Sequence, residues 1–303
     1  MDSNTDIKLK SFFTYASGER YFALAFALAR SYRFHNGTAI QFTIISNQDF
    51  TLPWDLKWVG KLVFPPTSLG SGLEFKLHLL EIAPTVNSIF IDADTLIYGN
   101  ITSIFSLFKP ETPNVIGLKV TEGTFVDEDV QSVCTEFSIN YMVRFCGALY
   151  YLIKNRKSAE VFAYAKALYK SERLFQHNDF TMYDEPILSI ALAKFGIEPL
   201  LDDGNIWGDL VQLDYQVQLN IFNAPPVFFN DKTSANYKFW LPPGEYKPIL
   251  LHVGSGNYNK KPWLFDSLRL KLHYKFLLPV YMSDLLVKML VIPAYQIARK
   301  LLR

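Results

Sequence analysis

The chain has 303 residues, half of them hydrophobic, and a formal net charge of +1. That length and apolar content assure a sizeable core and exclude extensive disorder; they suit one large α/β domain or two smaller ones. The near-zero charge excludes a chain built throughout for polyanions, so no nucleic-acid partner is expected.

In chain order, Lys10–Tyr15 reads as a strand, Ala16-Ser17-Gly18 as a turn, and Glu19–Tyr32 as a buried helix. Ile40–Ser46 reads as a second strand ending at Asn47, Leu73–Ile82 as a helix closed by Ala83-Pro84, and Ser88–Ile91 as a third strand. The polar stretch Thr121–Ser132 reads as a solvated loop, including its Asp127-Glu128-Asp129. Ala148–Ile153 is strand-like, while Lys157–Glu172 and Glu185–Phe195 are helical, the second with proline in its first turn. Strand and helix alternate at short intervals, which predicts a mostly parallel sheet with helices on its faces. Pro199–Pro248, rich in Asn, Asp, Pro and aromatics, holds short strands at most. The polar, charged Met1–Lys10 is unlike a signal peptide, and Cys134 and Cys146 form no CxxC pattern, so free thiols in a reducing cytosol are expected.

Two stretches carry chemistry. Ser88–Ile91 runs straight into Asp92-Ala93-Asp94. Carboxylates beside a core need compensation, and at alternate extended positions both can turn the same way, which makes a hard oxygen site for a divalent cation. Open α/β sheets bind ligands at such strand ends. In the second stretch, the apolar Ile249–Leu251 leads to His252, Gly254, Gly256, Lys260 and Lys261. The glycines allow backbone N–H groups close to an anion, and lysines supply point charges for phosphate. His252 is either a third ligand to the cation or a hydrogen-bonded core histidine, and the glycines either a phosphate loop or a plain turn.

The arrangement Asp92-Ala93-Asp94-Thr95-Leu96, with Asn100-Ile101 and Phe105 after it, resembles the metal-binding segment of family-8 retaining glycosyltransferases, of the glycogenin and bacterial lipopolysaccharide galactosyl- and glucosyltransferase kind. Lys76-Leu77-His78, Thr14-Tyr15-Ala16-Ser17-Gly18-Glu19 with Tyr21, and the closing His252 and Lys261-Pro262-Trp263 resemble further signatures of that family, in its order, across roughly residues 11 to 263. Three places depart from the pattern. Eleven positions separate His252 from Trp263 where eight are usual; Phe145-Cys146-Gly147 replaces an Asn-small-Gly segment; and an Asp-Gln pair stands as Asp184-Glu185.

The resemblance implies a GT-A fold, a single Rossmann-like nucleotide-sugar transferase domain over residues 1–263, and transfer of a sugar from a UDP-sugar donor with retention. It implies that Thr14, Tyr15, Ala16 and Ser17 hold the base, with Tyr21 stacked on it, and that Asp92, Ala93, Lys76, Gly254, Gly256, Lys260 and Lys261 serve the rest of the donor. Asp92, Asp94 and His252 would ligate Mn2+ or Mg2+, mixed O/N ligation favouring Mn2+. Asp184 and Glu185 would flank the reacting carbon as the catalytic pair, although Asp184 also suits a helix N-cap. The acceptor, a glycan or lipid-linked sugar, would meet Pro199–Pro248 and the loops near Thr121–Asn140.

Residues 264–303 change character, with seven Lys/Arg against Asp266 and Asp284, a net of +5. Met282, Leu285, Leu286, Met289 and Ile292 share one helical face, while Asp284, Lys288, Tyr295, Arg299 and Arg303 share another. Pro279 and Pro293 are expected to break the segment, and its longest uncharged run, Met289–Ala298, is short for a bilayer span. The expectation is a basic amphipathic segment lying on an anionic membrane, placing the protein in the cytoplasm and peripheral on a cytoplasmic membrane face. An ordinary packed C-terminal helix is the plain alternative. A soluble transferase with a small or protein acceptor, and a binding scaffold without catalysis, are the rival functions.

Overall fold

The structure, a computed structural model, describes residues 9–70, 72–171, 184–209, 219–223, 225–234, 237–254 and 263–301. Strand β1 (Lys10–Tyr15) leads into helix α1 (Glu19–Asn36), then β2 (Gln41–Ser46) and β3 (Gly60–Val63). A 3-10 segment, Gly72–His78, and the single turn α2 (Leu79–Ile82) precede β4 (Asn87–Ile91) and β5 (Thr95–Ile97). Next come β6 (Ile116–Val120), β7 (Thr124–Phe125), β8 (Glu128–Asp129), α3 (Val130–Phe137), β9 (Met142–Phe145) and β10 (Leu149–Ile153). Helices α4 (Arg156–Ser171) and α5 (Asp184–Lys194) follow, with the short strands β11 (Leu200–Leu201), β12 (Trp207–Asp209), β13 (Phe228–Asn230), β14 (Gly244–Tyr246) and β15 (Leu250–His252). The C-terminal helices are α6 (Trp263–Lys275), α7 (Val280–Leu286) and α8 (Ile292–Leu301).

The central sheet runs β10-β4-β1-β2-β3. Its first four strands in sequence pair in parallel, and β10 closes against β4 in the antiparallel sense. This is the mixed α/β architecture with a mostly parallel sheet that the strand–helix alternation predicts. Both faces of β1 are buried, as a parallel strand requires. Phe12 joins one core with Leu28 and Tyr32 of α1, and Phe13 joins the other with Phe90, Tyr150 and the inner face of α5. The C-terminal ends of the parallel strands β1–β4 share one rim, at which β10 begins.

Three expectations change. Leu73–Ile82 is mainly 3-10 rather than an α-helix, and it buries Phe75, Lys76 and Leu77 together. Asp127-Glu128-Asp129 is no open loop: β7 and β8 pair through a turn in which Val126 and Asp127 hold positive φ, and Asp129 caps α3 by accepting from the Ser132 backbone N–H at 2.8 Å. The Asp129 carboxylate thus serves a helix cap.

Pro293 does not break the tail. Val287–Val291 forms a π-helical turn joining α7 to α8, so Val280–Leu301 is one continuous helical segment. A π turn just ahead of a proline relaxes the carbonyl ladder that the missing N–H would interrupt. Val280–Ala298 is, among the described residues, the helix long and apolar enough to cross a membrane by length and composition. Its polar edge docks on the body. Ser283 and Val287 are fully buried, Asp284 accepts from Arg269 at 2.9 Å and from Asn220 at 2.9 Å, and Tyr295 meets Phe265 edge-on. Met282, Leu285, Met289, Leu290 and Ile297 are exposed. Arg269 is buried and bound to Asp266 and Asp284, so it is no part of a basic surface.

Candidate donor and cation site

At the end of β4 the chain turns sharply: the Asp92 N–H donates to Ala148 O at 2.9 Å, and the Thr95 N–H donates back to Asp92 O at 3.1 Å. This turn holds Asp92 and Asp94 at the sheet rim, between β4 and β5. His252 arrives by strand register. β15 lies between β12 and β5, with His252 opposite Asp209 on one side and Thr95 on the other. Its Nε2 is 3.3 Å from Asp94 Oδ1, and its Nδ1 is 2.9 Å from Asp209 Oδ1. Ligand atoms of Asp92, Asp94 and His252 all lie within 4.8 Å of one another. Two carboxylates and an imidazole converging at that separation fit a divalent cation of the manganese or magnesium type.

The 3-10 segment brings Lys76 under the same rim. Its ammonium is buried, donates to Asp92 Oδ2 at 3.1 Å and to Gly147 O at 2.7 Å, and lies 3.7 Å from Asp184 Oδ2. Asp184 also accepts from the Tyr150 hydroxyl at 2.6 Å, and Glu185 accepts from the Gly147 N–H at 2.6 Å. Asp184 begins α5, yet its carboxylate is committed to this buried network. Gly147 is needed for the close approach: a Cβ there would meet Asp184 Oδ2 at 2.7 Å and the Tyr150 oxygen at 3.0 Å.

Charge is unevenly shared. Burial pushes Asp92 up to about 6 against the pull of Lys76. Burial also opposes ionisation of Asp94, but the hydrogen bond and charge of His252 win and hold it below the usual carboxylate range. Burial disfavours charge on His252, and Asp209 and Asp94 outweigh it, raising its pKa well above the ordinary imidazole value. Burial, reinforced by the neighbouring Asp184 charge, lifts Glu185 to about 7. Lys76 is buried too, but Asp184 and Asp92 keep it charged. The cluster thus sets two cationic groups, Lys76 and His252, against the carboxyl groups of Asp92, Asp94, Asp184, Glu185 and Asp209.

A cavity of about 570 Å³ opens from this cluster. Of the sequence-predicted residues, Tyr15, Ser17, Tyr21, Lys76, Asp92, Ala93 and Asp94 line it. Tyr15 stacks on Phe75 with centroids 4.1 Å apart, and Ser17 Oγ donates to Asn47 Oδ1 at 2.8 Å. Thr14 and Ala16 are buried in the strand and its end, and do not line the cavity. Gly254 has φ 72°, left-handed backbone that suits glycine. Gly256, Lys260 and Lys261 lie outside the described residues.

Sequence reasoning missed Asn47, Phe75 and Asp209. Asn47 ends a strand on the same rim as Ser17, a signal that was available. Asp209 had none, because only the β12–β15 register brings it to His252. A second cavity, of about 360 Å³, lies on the Asp209 side of His252. Phe125 and Val126 wall it from one segment, and Asp202, Trp207, Asp209 and Trp240 from another, with Arg144 and Cys146 completing it. Arg144 lies over the Trp240 ring at 6.0 Å, and Lys238 pairs with Asp202 at 3.0 Å.

No protein-family model matches the chain, and no curated protein matches it. Among solved structures, the bifunctional glycosyltransferase WbbM, in its apo form, aligns over 91% of this chain and 52% of its own, with TM-score 0.55 and 11% identity. Two structures of the glycosyltransferase GlyE from Streptococcus pneumoniae TIGR4, one of them the apo form, align over 64% of this chain and 45% of their own. Their TM-scores are 0.44 and 0.43, at 16% and 13% identity. The chain spans about half the length of the WbbM chain and less than half of the GlyE chains. The class defined here is a fold: a mixed α/β domain with a parallel-strand central sheet, shared with WbbM.

Proposed function

We propose that this chain is a divalent-cation-dependent retaining glycosyltransferase of the family-8 kind, moving a sugar from a UDP-sugar to a glycan or lipid-linked acceptor at a membrane surface. The observation that carries this reading is one cavity joining an aromatic end, Tyr15, Tyr21 and Phe75, to the Asp92–Asp94 turn. A base stacks at the first end while phosphates reach the second. Asp92, Asp94 and His252 would hold Mn2+ or Mg2+, which when bound supplies Lewis-acid neutralisation of the diphosphate.

The protein's own groups do the remaining work. Ser17 and Asn47 offer polar contacts to the base, Asp92 faces the ribose as well as the cation, and Lys76 places a fixed positive charge under the donor. Asp184 and Glu185 stand beside Lys76, packed against Gly147. There they orient the donor sugar and stabilise positive charge developing at its reacting carbon. The acceptor enters from the second cavity, whose lining combines Trp207 and Trp240 with the carboxylate of Asp209.

The tail serves as an interfacial anchor. Its polar edge is tied down through Asp284 and Arg269, so the exposed Leu285, Met289 and Leu290 point away from the body into an anionic bilayer surface. A helix fastened along its length lies on the interface rather than crossing it. On this reading the protein sits in the cytoplasm, on the cytoplasmic face of the membrane.

Titrating UDP into the purified protein with and without Mn2+ tests the proposal. Binding that needs Mn2+ and disappears in Asp92→Asn/Asp94→Asn supports it; binding indifferent to the cation and to both substitutions removes it.

A further inference from the structure

The other ring nitrogen of His252 belongs to a second group of metal-binding atoms. Cys146 Sγ lies 3.9 Å from His252 Nδ1, Asp209 Oδ1 lies 2.9 Å from it, and all three ligand atoms fall within 4.8 Å of one another. A tetrahedral zinc ion holds such ligand atoms roughly 3.3–3.6 Å apart, given zinc–sulfur and zinc–nitrogen bonds of about 2.3 and 2.0 Å. The observed separations bracket that value. Cys146 and Asp209 line the second cavity, while Asp92 and Asp94 line the first, and the His252 ring reaches Asp94 with one nitrogen and Asp209 with the other.

The donor sets differ in kind. Asp92, Asp94 and His252 give two oxygens and a nitrogen, suited to a hard or borderline cation. Cys146, Asp209 and His252 give sulfur, oxygen and nitrogen, and sulfur selects soft cations. We propose that Cys146, Asp209 and His252 Nδ1 form a second site, for a soft divalent cation of the zinc class, with its fourth position open to the second cavity. The cation displaces the thiol proton to solvent, as thiolate ligation always does.

The two sites compete for one imidazole as long as the ring keeps a proton. A neutral imidazole carries one ring proton and one free lone pair. With Nδ1–H donating to Asp209, the lone pair is on Nε2, facing Asp94. With a soft cation on Nδ1, the proton moves to Nε2 and the first site loses its nitrogen ligand. A zinc-class ion thereby antagonises a manganese-class ion without touching Asp92 or Asp94. This does not depend on the sugar-transfer reading; it needs only the two donor sets and the shared ring.

Cadmium is the probe, since a cadmium–thiolate bond gives an ultraviolet charge-transfer band that needs no enzymatic assay. The full chain titrated with Cd2+ should show the band for one thiolate per chain. The band should persist in Cys134→Ser and in Asp92→Asn/Asp94→Asn, and vanish in Cys146→Ser. Asp209→Asn should weaken cadmium binding at least tenfold, which keeps the test valid if Cys146→Ser folds poorly. Excess Mn2+ should weaken cadmium binding at least tenfold in the wild type and leave it unchanged in Asp92→Asn/Asp94→Asn. No band in the wild type, or a band surviving in Cys146→Ser, overturns the site; cadmium binding indifferent to Mn2+ overturns the antagonism.

Discussion

His252 Nδ1 donates to Asp209 Oδ1 at 2.9 Å while its Nε2 lies 3.3 Å from Asp94 Oδ1. One ring thus spans two carboxylates, one in the turn between β4 and β5 and one at the end of β12. A carboxylate behind a ligating imidazole fixes which nitrogen carries the proton and makes the other a better donor to metal.

Asp209→Asn should therefore lower Mn2+ affinity about 10- to 100-fold, the range for losing such a partner. Electron paramagnetic resonance of free Mn2+ against protein concentration reads this directly. An unchanged affinity would show that Asp209 only packs beside the ring.

Gly147 is the next test, because its missing Cβ is what lets Asp184 and Glu185 close over Lys76. A methyl group there would sit 2.7 Å from Asp184 Oδ2 and 3.1 Å from Glu185 Cγ. Gly147→Ala should cost about 1–3 kcal/mol in urea unfolding, the usual effect of overpacking. A loss below about 0.5 kcal/mol would mean that the network yields without strain.

Glu185 gives a pH dependence with a definite sign. Its carboxyl rises from 4.5 to about 7 in the folded chain, chiefly through burial. The folded state then holds this proton more tightly than the unfolded one. Its favourable share is complete below pH 4.5 and is lost as pH rises through about 7. Glu185→Gln removes the titration and keeps an oxygen to accept from Gly147. With chelator present, wild-type melting temperature relative to the variant should fall across that window; a constant difference would contradict the shift.

The tail makes a surface prediction. Leu285, Met289 and Leu290 are 50%, 65% and 62% exposed, so changing all three to Ser should leave urea stability nearly unaltered, each within about 0.5 kcal/mol. Sedimentation with anionic phospholipid vesicles should nevertheless fall at least tenfold. Equal sedimentation of both proteins would remove the membrane role.

The parts of this molecule visible in its sequence are those with local causes. Lys10–Tyr15 and Ser88–Ile91 are runs of strand-forming residues, and Asp92 and Asp94 stand out because a buried strand ends in them. Leu73–Ile82 misleads because its apolar spacing fits an α-helix, whereas the segment is 3-10 through His78 and buries Lys76 beside Asp92 and Asp184. Pro293 misleads because a neighbouring π turn absorbs a residue that usually ends a helix. Asp209 is silent because its partner is 43 residues away and joined to it only by strand register. The tail's apolar face was legible, but the buried Arg269–Asp284 contact that turns it outward was not.

The most direct measurement is UDP release from a panel of UDP-sugars in Mn2+, comparing the wild type with Asp92→Ala/Asp94→Ala. Release from one sugar that is lost in the double variant is the predicted result. Release that the double variant retains, or none from any sugar, would contradict a cation-dependent transferase built on this turn.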